Sequence, residues 1–255
     1  MLWAPGDGGT GVVVAVEPRR SVLARPDARW GTRAVVANLD QLVVVIAPRP
    51  HCPAEQIDRY LVAASAHGLG ALVLLNKLDL LDPAGRGAAG DPIALYHRLG
   101  YPVCAVSART GEGMAALAAR LRARSSALVG PSGVGKSSLI RALAPAATAA
   151  VGELSDVTGH GRHTTSASTL FHLPTGGDLV DSPGARDVGL WHLPRPAVAA
   201  GFPEIAALAP ECRFRDCGHG GEPGCAVQAA LAAGDIDPGR LASYRAILEG
   251  LGRPT

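Results

Sequence analysis

Aromatic side chains are scarce in this chain: three Phe, four Tyr and three Trp make up 4% of its 255 residues. With so few rings, base stacking is not expected to be its main mode of contact with RNA. A strong charge of either sign is also lacking. Lys and Arg total 24 against 22 Asp and Glu, a formal net charge of +2 that argues for no polyanionic partner by itself. No apolar run approaches the ~20 residues of a membrane span, and no signal-peptide pattern opens the chain, so no membrane partner is expected. The five cysteines show no disulfide framework, which fits a reducing, cytoplasmic compartment. Gly and Pro are abundant instead, at 32 and 20 residues, and 47% of the chain is hydrophobic. That composition supports a packed, loop-rich main domain with small modules at its ends.

The most informative run is Gly130-Pro131-Ser132-Gly133-Val134-Gly135-Lys136-Ser137, followed by Ser138. It fits G-x-x-x-x-G-K-[ST], enters from the apolar Ala127-Leu128-Val129 and leads into a helix-forming stretch. That strand–loop–helix setting is the one a phosphate-binding loop needs. Its glycines let successive N–H groups point at phosphates, and the following helix adds its positive end. Lys136 is placed for the β- and γ-phosphates and the Ser137 hydroxyl for Mg²⁺.

Downstream, Asp181-Ser182-Pro183-Gly184 ends a short apolar strand. A D-x-x-G there suits an Asp that holds Mg²⁺ and a Gly whose N–H meets the γ-phosphate. Between the two motifs, residues 152–166 are rich in Gly, Ser, Thr and His and read as a surface loop. A threonine of that loop can close over Mg²⁺ and the γ-phosphate. Thr165 is the first choice and Thr164 the second.

The base-reading elements come earlier in the chain. Ala71 to Leu75 reads as a buried strand delivering Asn76-Lys77-Leu78-Asp79 at its C-terminal end, where ligands bind open α/β sheets. The Asp79 carboxylate can accept from guanine N1–H and its exocyclic amine, a donor pair that adenine lacks. A second strand, Tyr101 to Val106, ends in Ser107-Ala108-Arg109, placing backbone N–H groups for the guanine O6. The order of motifs is that of a circularly permuted GTPase, which compact folds tolerate when their termini lie close. It sends the D-x-x-G strand almost directly into the C-terminal part.

That part carries Cys212-x4-Cys217-x-His219-x5-Cys225, ligands for a closed, structural Zn²⁺ site. The surrounding loop is Gly-rich and polar, so metal is expected to supply its folding energy. Cys52 and Cys104 stand apart and read as small hydrophobes.

Together with the permuted order and the Cys/His pattern, Gly161-Arg162-His163-Thr164-Thr165 resembles the RsgA family of small ribosomal subunit biogenesis GTPases. Similar strings include Pro18-Arg19-Arg20-Ser21, Arg25-Pro26-Asp27, residues 37–41 and Gly189-Leu190-Trp191-His192-Leu193. The resemblance implies an N-terminal OB-fold, a permuted α/β P-loop GTPase domain and a small zinc-binding helical domain, here assigned to residues 1–30, 31–193 and 194–255. It implies binding to the small ribosomal subunit and its rRNA, help in releasing another assembly factor, and GTP hydrolysis that is faster on the ribosome. A monomer is expected. Only Gly11 to Val16 reads as a strand before residue 31, with Leu2-Trp3 as a remnant, so a partial OB-fold is expected rather than five strands.

Many GTPases place a water-orienting Gln just after D-x-x-G. Ala185 stands there, so hydrolysis by the free protein should be slow. His163, beside the switch threonines, is the candidate to position water, as the resemblance also implies. Ala185 leaves open a second function class, a ribosome- or RNA-binding protein whose GTP site is occupied but idle. Elsewhere Gln41 to Ala47 predicts a central strand, residues 53–67 a helix with Ile57, Tyr60, Leu61 and Ala64 on one face, and residues 226–233 and 238–251 two more helices with Asp237 as cap.

Overall fold

A computed structural model describes residues 2–5, 11–27, 31–81, 93–146, 168–182 and 189–252. Its centre is the strand β5 (Gln41–Ile46), buried at every position. Leu42 to Ile46 is a continuous apolar, largely β-branched run, the composition of a strand covered on both faces of a parallel sheet. Five strands join it: β6 (Gly70–Leu75), β7 (Val103–Ala105), β8 (Ser125–Val129), β9 (Thr169–His172) and β10 (Asp178–Asp181). The sheet order is β7-β6-β5-β8-β10-β9, parallel except where β9 runs antiparallel to β10.

Alternation along β5 divides the core. Leu42, Val44 and Ile46 point into one apolar layer, Val43 and Val45 into the other. The second layer is closed by Leu117 and Leu121 of α3 (Met114–Leu121) and by Leu139 and Ile140 of α4 (Lys136–Leu143). The first layer is covered by α1 (Ala54–Ala66), which buries Ile57, Tyr60, Leu61 and Ala64 as its periodicity predicts, and by α2 (Ala94–Arg98) through Tyr96. Beyond α1 lie α5 (Arg195–Ala200), α6 (Pro203–Leu208), α7 (Ala226–Ala233) and α8 (Pro238–Glu249). Asp237 caps α8 as expected, accepting from the backbone N–H of Gly239 at 2.8 Å and of Arg240 at 3.2 Å.

Before β5, β1 (Leu2–Pro5) pairs antiparallel with β2 (Gly11–Ala15), and β3 (Val22–Asp27) with β4 (Gly31–Ala37). The second hairpin was not legible from pattern: Arg25-Pro26-Asp27 and Arg33 interrupt its alternation, and a proline argues against a strand. This hairpin seats Leu23 in the main core and completes the N-terminal β region. Among the described residues it supplies four strands in two separate pairs.

The C-terminal helices are fixed to α1 by a charge network that no hydrophobic pattern reveals. Arg240 of α8 is fully buried. Its Nη1 donates to Asp58 Oδ1 of α1 at 2.6 Å and its Nε to Glu204 Oε1 of α6 at 2.6 Å. The guanidinium lies 4.2 Å from the Phe202 ring centroid, and the Tyr96 hydroxyl donates to Asp58 at 3.1 Å. Removing one partner of such a pair leaves a buried charge bare, at a cost of about 3–5 kcal/mol. Arg240→Ala should therefore lower the urea midpoint of the whole chain by a corresponding amount. A change under about 1 kcal/mol, the worth of a surface pair, would show the network to be dispensable.

Candidate functional site

All the parallel strands end on one edge, and the described residues of the phosphate-loop, Asn-Lys-x-Asp and Ser-Ala motifs lie there. After Val129 the chain turns at Gly130 with φ of 136° and again at Gly135 with φ of 96°, and α4 begins at Lys136. These are glycine conformations, and the space is glycine's as well. A methyl at Gly130 would collide with the Val45 carbonyl, and one at Gly135 with the Asn76 amide nitrogen. Lys136 is buried, its ammonium donating to the carbonyls of Gly130 at 2.7 Å and Pro131 at 2.6 Å. The cation is thus folded over the loop whose bound phosphates it would meet. Ser137 sits exposed in the first helical turn.

Beside this loop, Lys77 adopts φ of 61° and turns the chain from β6 into the short 3-10 turn Leu78–Leu80 that carries Asp79. Lys77 Nζ donates to the Arg49 carbonyl at 3.0 Å. Asn76 is buried, and its side chain joins two other loops: Nδ2 donates to the Val134 carbonyl at 2.9 Å, and Oδ1 accepts from the Ala108 N–H at 3.2 Å. The Asp79 carboxylate accepts from Ser107 Oγ at 2.5 Å and from Arg109 Nε at 2.8 Å. The Ser107 hydroxyl first, then the Arg109 guanidinium, holds its pKa below the usual carboxylate range and keeps it ionised. Asn76, Lys77, Asp79, Ala108 and Arg109 line a cleft of about 660 Å³ with Leu80, Gly135, Ser138, Arg141 and Ala142.

Asp181 ends β10 next to the phosphate loop, since Val180 is in register with Ala127 of β8. A hydroxyl at the start of α4 and a carboxylate at the end of the adjacent strand are oxygen donors of the kind that would suit Mg²⁺. Thr164, Thr165, His163, Gly184 and Ala185 lie outside the described residues.

Away from this edge, Cys212, Cys217, His219 and Cys225 present ligand atoms all within 4.8 Å of one another. Tetrahedral Zn²⁺, with Zn–S about 2.3 Å and Zn–N about 2.0–2.1 Å, requires neighbouring ligand atoms roughly 3.5–3.8 Å apart. His219 Nδ1 lies 3.6 Å from Cys212 Sγ and 3.5 Å from Cys225 Sγ, and those two sulfurs are 3.9 Å apart. The set fits zinc. Burial pushes the His219 pKa down, which favours the neutral ring that binds metal. The loop is tied by Glu222, whose carboxylate accepts from the N–H groups of Gly218, Gly220 and Gly221, and by Gln228 and Arg245, which both donate to the His219 carbonyl.

A family model described as RsgA GTPase matches residues 16–191. The chain belongs to the RsgA GTPase family. Relatives bearing the name small ribosomal subunit biogenesis GTPase RsgA are 51% identical in both Ectopseudomonas mendocina and Azotobacter vinelandii. The first match covers 98% of this chain and 73% of the relative, the second 100% and 74%. Among solved structures, YjeQ from Thermotoga maritima superposes with a TM-score of 0.74 at 29% identity, over 99% of this chain and 83% of its own. YloQ, described as a circularly permuted GTPase, gives 0.74 at 25% identity, over 99% and 79%.

The permuted motif order of an RsgA GTPase is thus compatible with one cleft: Asn76, Lys77, Asp79, Ala108, Gly135 and Ser138 line it together. Arg141 and Leu80 line it too, and sequence reasoning passed over both; their helical spacing from Ser137 and their adjacency to Asp79 were the available signals. Gly135→Ala should lower GDP affinity by about five- to 150-fold, because a side chain forced into a disfavoured backbone region costs about 1–3 kcal/mol. Titration of a fluorescent GDP analogue checks this, and unchanged affinity would break the link between the loop and nucleotide. For the metal site, elemental analysis should find one zinc per chain, largely lost in Cys217→Ser. A chelator should strip it more readily as pH falls, since the thiolates must be deprotonated to bind. Hydrogen exchange should then rise across residues 212–225 while nucleotide binding persists.

Proposed function

We propose that this protein hydrolyses GTP with Mg²⁺ in the late maturation of the small ribosomal subunit, and that docking on the subunit activates it. The observation that carries the proposal is the convergence of Asp79, Asn76, Ala108 and the phosphate loop on a single cleft. The small subunit is proposed as partner because relatives similar over nearly the whole chain are named small ribosomal subunit biogenesis GTPases.

Each residue has an assigned task. Asp79 accepts from the guanine N1–H and amine. Asn76 holds the base loop to the phosphate loop, and the loop Ser107-Ala108-Arg109 borders the guanine O6. The backbone of Gly130 to Ser138 cradles the phosphates, with Lys136 on the β- and γ-groups. Ser137, Asp181 and Thr165 are the residues to hold Mg²⁺, and the Gly184 N–H meets the γ-phosphate. Mg²⁺, when bound, neutralises charge on the phosphate oxygens. With alanine at position 185, His163 positions the attacking water. The Cys/His set holds a structural Zn²⁺. In this proposal an N-terminal β region, a GTPase domain and a zinc module act as a cytoplasmic monomer on the subunit. It contacts rRNA and assists departure of another assembly factor. Among the described residues no helix is long and apolar enough to cross a membrane.

Phosphate release from GTP, with and without purified small subunits and with Lys136→Ala as blank, tests this directly. Stimulation by subunits is expected, and His163→Ala should lower turnover by about 10²-fold or more with GTP-analogue affinity nearly intact. Loss of analogue binding in that variant would reject the catalytic role. Slow turnover that subunits do not stimulate would favour the idle-site alternative that Ala185 keeps in view.

A further inference from the structure

The carboxylate assigned to guanine has two partners from its own chain. Ser107, which donates to Oδ1, is buried and held on both sides: its N–H donates to the Glu112 carbonyl at 2.9 Å, and its Oγ accepts from the Thr110 N–H at 3.1 Å. It is part of the frame. Arg109, which donates to Oδ2, differs in kind. Its side chain is 73% exposed and has rotamers open to it, whereas that of Asp79 is only 9% exposed. Arg109 also lines the cleft between the base-reading turn and α4, so its N–H meets Oδ2 from the space a base would enter. Guanine presents two N–H donors side by side and needs both carboxylate oxygens turned toward that space.

We propose that Arg109 is a latch on the base site: it caps Oδ2 of Asp79 while no guanine is present and swings out when guanine enters. This rests on the cleft being the guanine site. Physically, the latch keeps the one mostly buried carboxylate of the cleft paired between nucleotides. Its cost is competition. A protein whose binding-competent form is only partly populated binds more weakly by that fraction. An ion pair with one exposed partner shifts such an equilibrium by a factor of about two to five. Entry of guanine is slowed by that factor, whereas departure is untouched, because Arg109 makes no bond to Asp79 in the bound form.

Stopped-flow mixing of a fluorescent GDP analogue with the full chain reads both rates. In Arg109→Met, which keeps the apolar stem and removes the donor, association should rise about two- to fivefold with dissociation unchanged. Arg109→Lys, which keeps the charge without the planar fork, should fall between. The difference between wild type and Arg109→Met should shrink as salt is raised, since exposed charges are screened within about 8–10 Å at 0.1–0.15 M ionic strength. Unchanged or slower association, or faster dissociation, would overturn the latch; the second result would mean that Arg109 stays in place and steadies Asp79 around the bound base. An adenine analogue run in parallel separates this from the underlying site assignment. Wild-type protein that takes up ADP as readily as GDP would reject the guanine site itself, and the latch with it.

Discussion

The amide of Asn76 joins loops that the chain order keeps apart. From one buried side chain it donates to Val134 in the phosphate loop and accepts from Ala108 in the loop after β7. An unpaired amide at this depth would cost about 1–3 kcal/mol, so the loops are held to one relative position whenever the protein is folded. Gly135 has to lack a side chain because that amide occupies the space beside it. Lys77 turns away through a left-handed backbone and anchors a further loop through the Arg49 carbonyl. The proposed base pocket and phosphate cradle are therefore one construction. Moving the ends of the chain does not disturb it, because the joints are side chain to backbone across the sheet edge and not along the sequence.

Permutation changes what the edge is connected to. β10 brings Asp181 to the phosphate loop, and the chain from residue 189 enters the C-terminal helices through the buried Leu190. Those helices are also fixed from below by Arg240, which binds Asp58 of α1 and Glu204 of α6. The loop that leads from β5 into α1 carries Arg49, which receives Lys77, and Pro50, which lies against Gly133. The part that carries the Cys/His set is thus attached to the proposed nucleotide edge twice, once by covalent continuity and once through packed structure.

Most of the site was legible because its chemistry requires particular residues at fixed spacing. Gly130 to Ser137, Asn76 to Asp79 and the Cys/His set were all read from the sequence, and their observed geometry fits the chemistry inferred for each. The unbroken apolar run of β5 and the face of α1 were equally plain, since a strand covered on both faces and a helix packed on one each leave their own pattern. What escaped notice depends on pairing at long range. Asp58 sits on the buried face of α1, where periodicity expects an apolar residue, and distant partners, Arg240 above all and Tyr96 beside it, make it tolerable there. The β3–β4 hairpin carries Arg, Pro and Asp where a strand pattern expects alternation, and its pairing, not its composition, makes it a strand.

Two devices of different physics hold the C-terminal part, and the division follows from what each segment contains. α5, α6 and α8 offer Val198, Phe202, Ile205, Leu241 and Ile247 to the core beside α1, so burial supplies most of their stability and the Arg240 network fixes the angle of approach. The loop from Cys212 to Cys225 has no such face. Its Phe214 is exposed, and Arg213, Arg215 and Asp216 around it are solvated. Apolar burial there falls far short of offsetting the roughly 1–2 kcal/mol per residue lost on ordering a backbone. A tetrahedral metal can do so from four side chains alone, and Glu222 then satisfies the glycine N–H groups that the tight loop would strand. The proposed metal would therefore serve where the core ends, and the buried ion pairs serve where the core must be oriented.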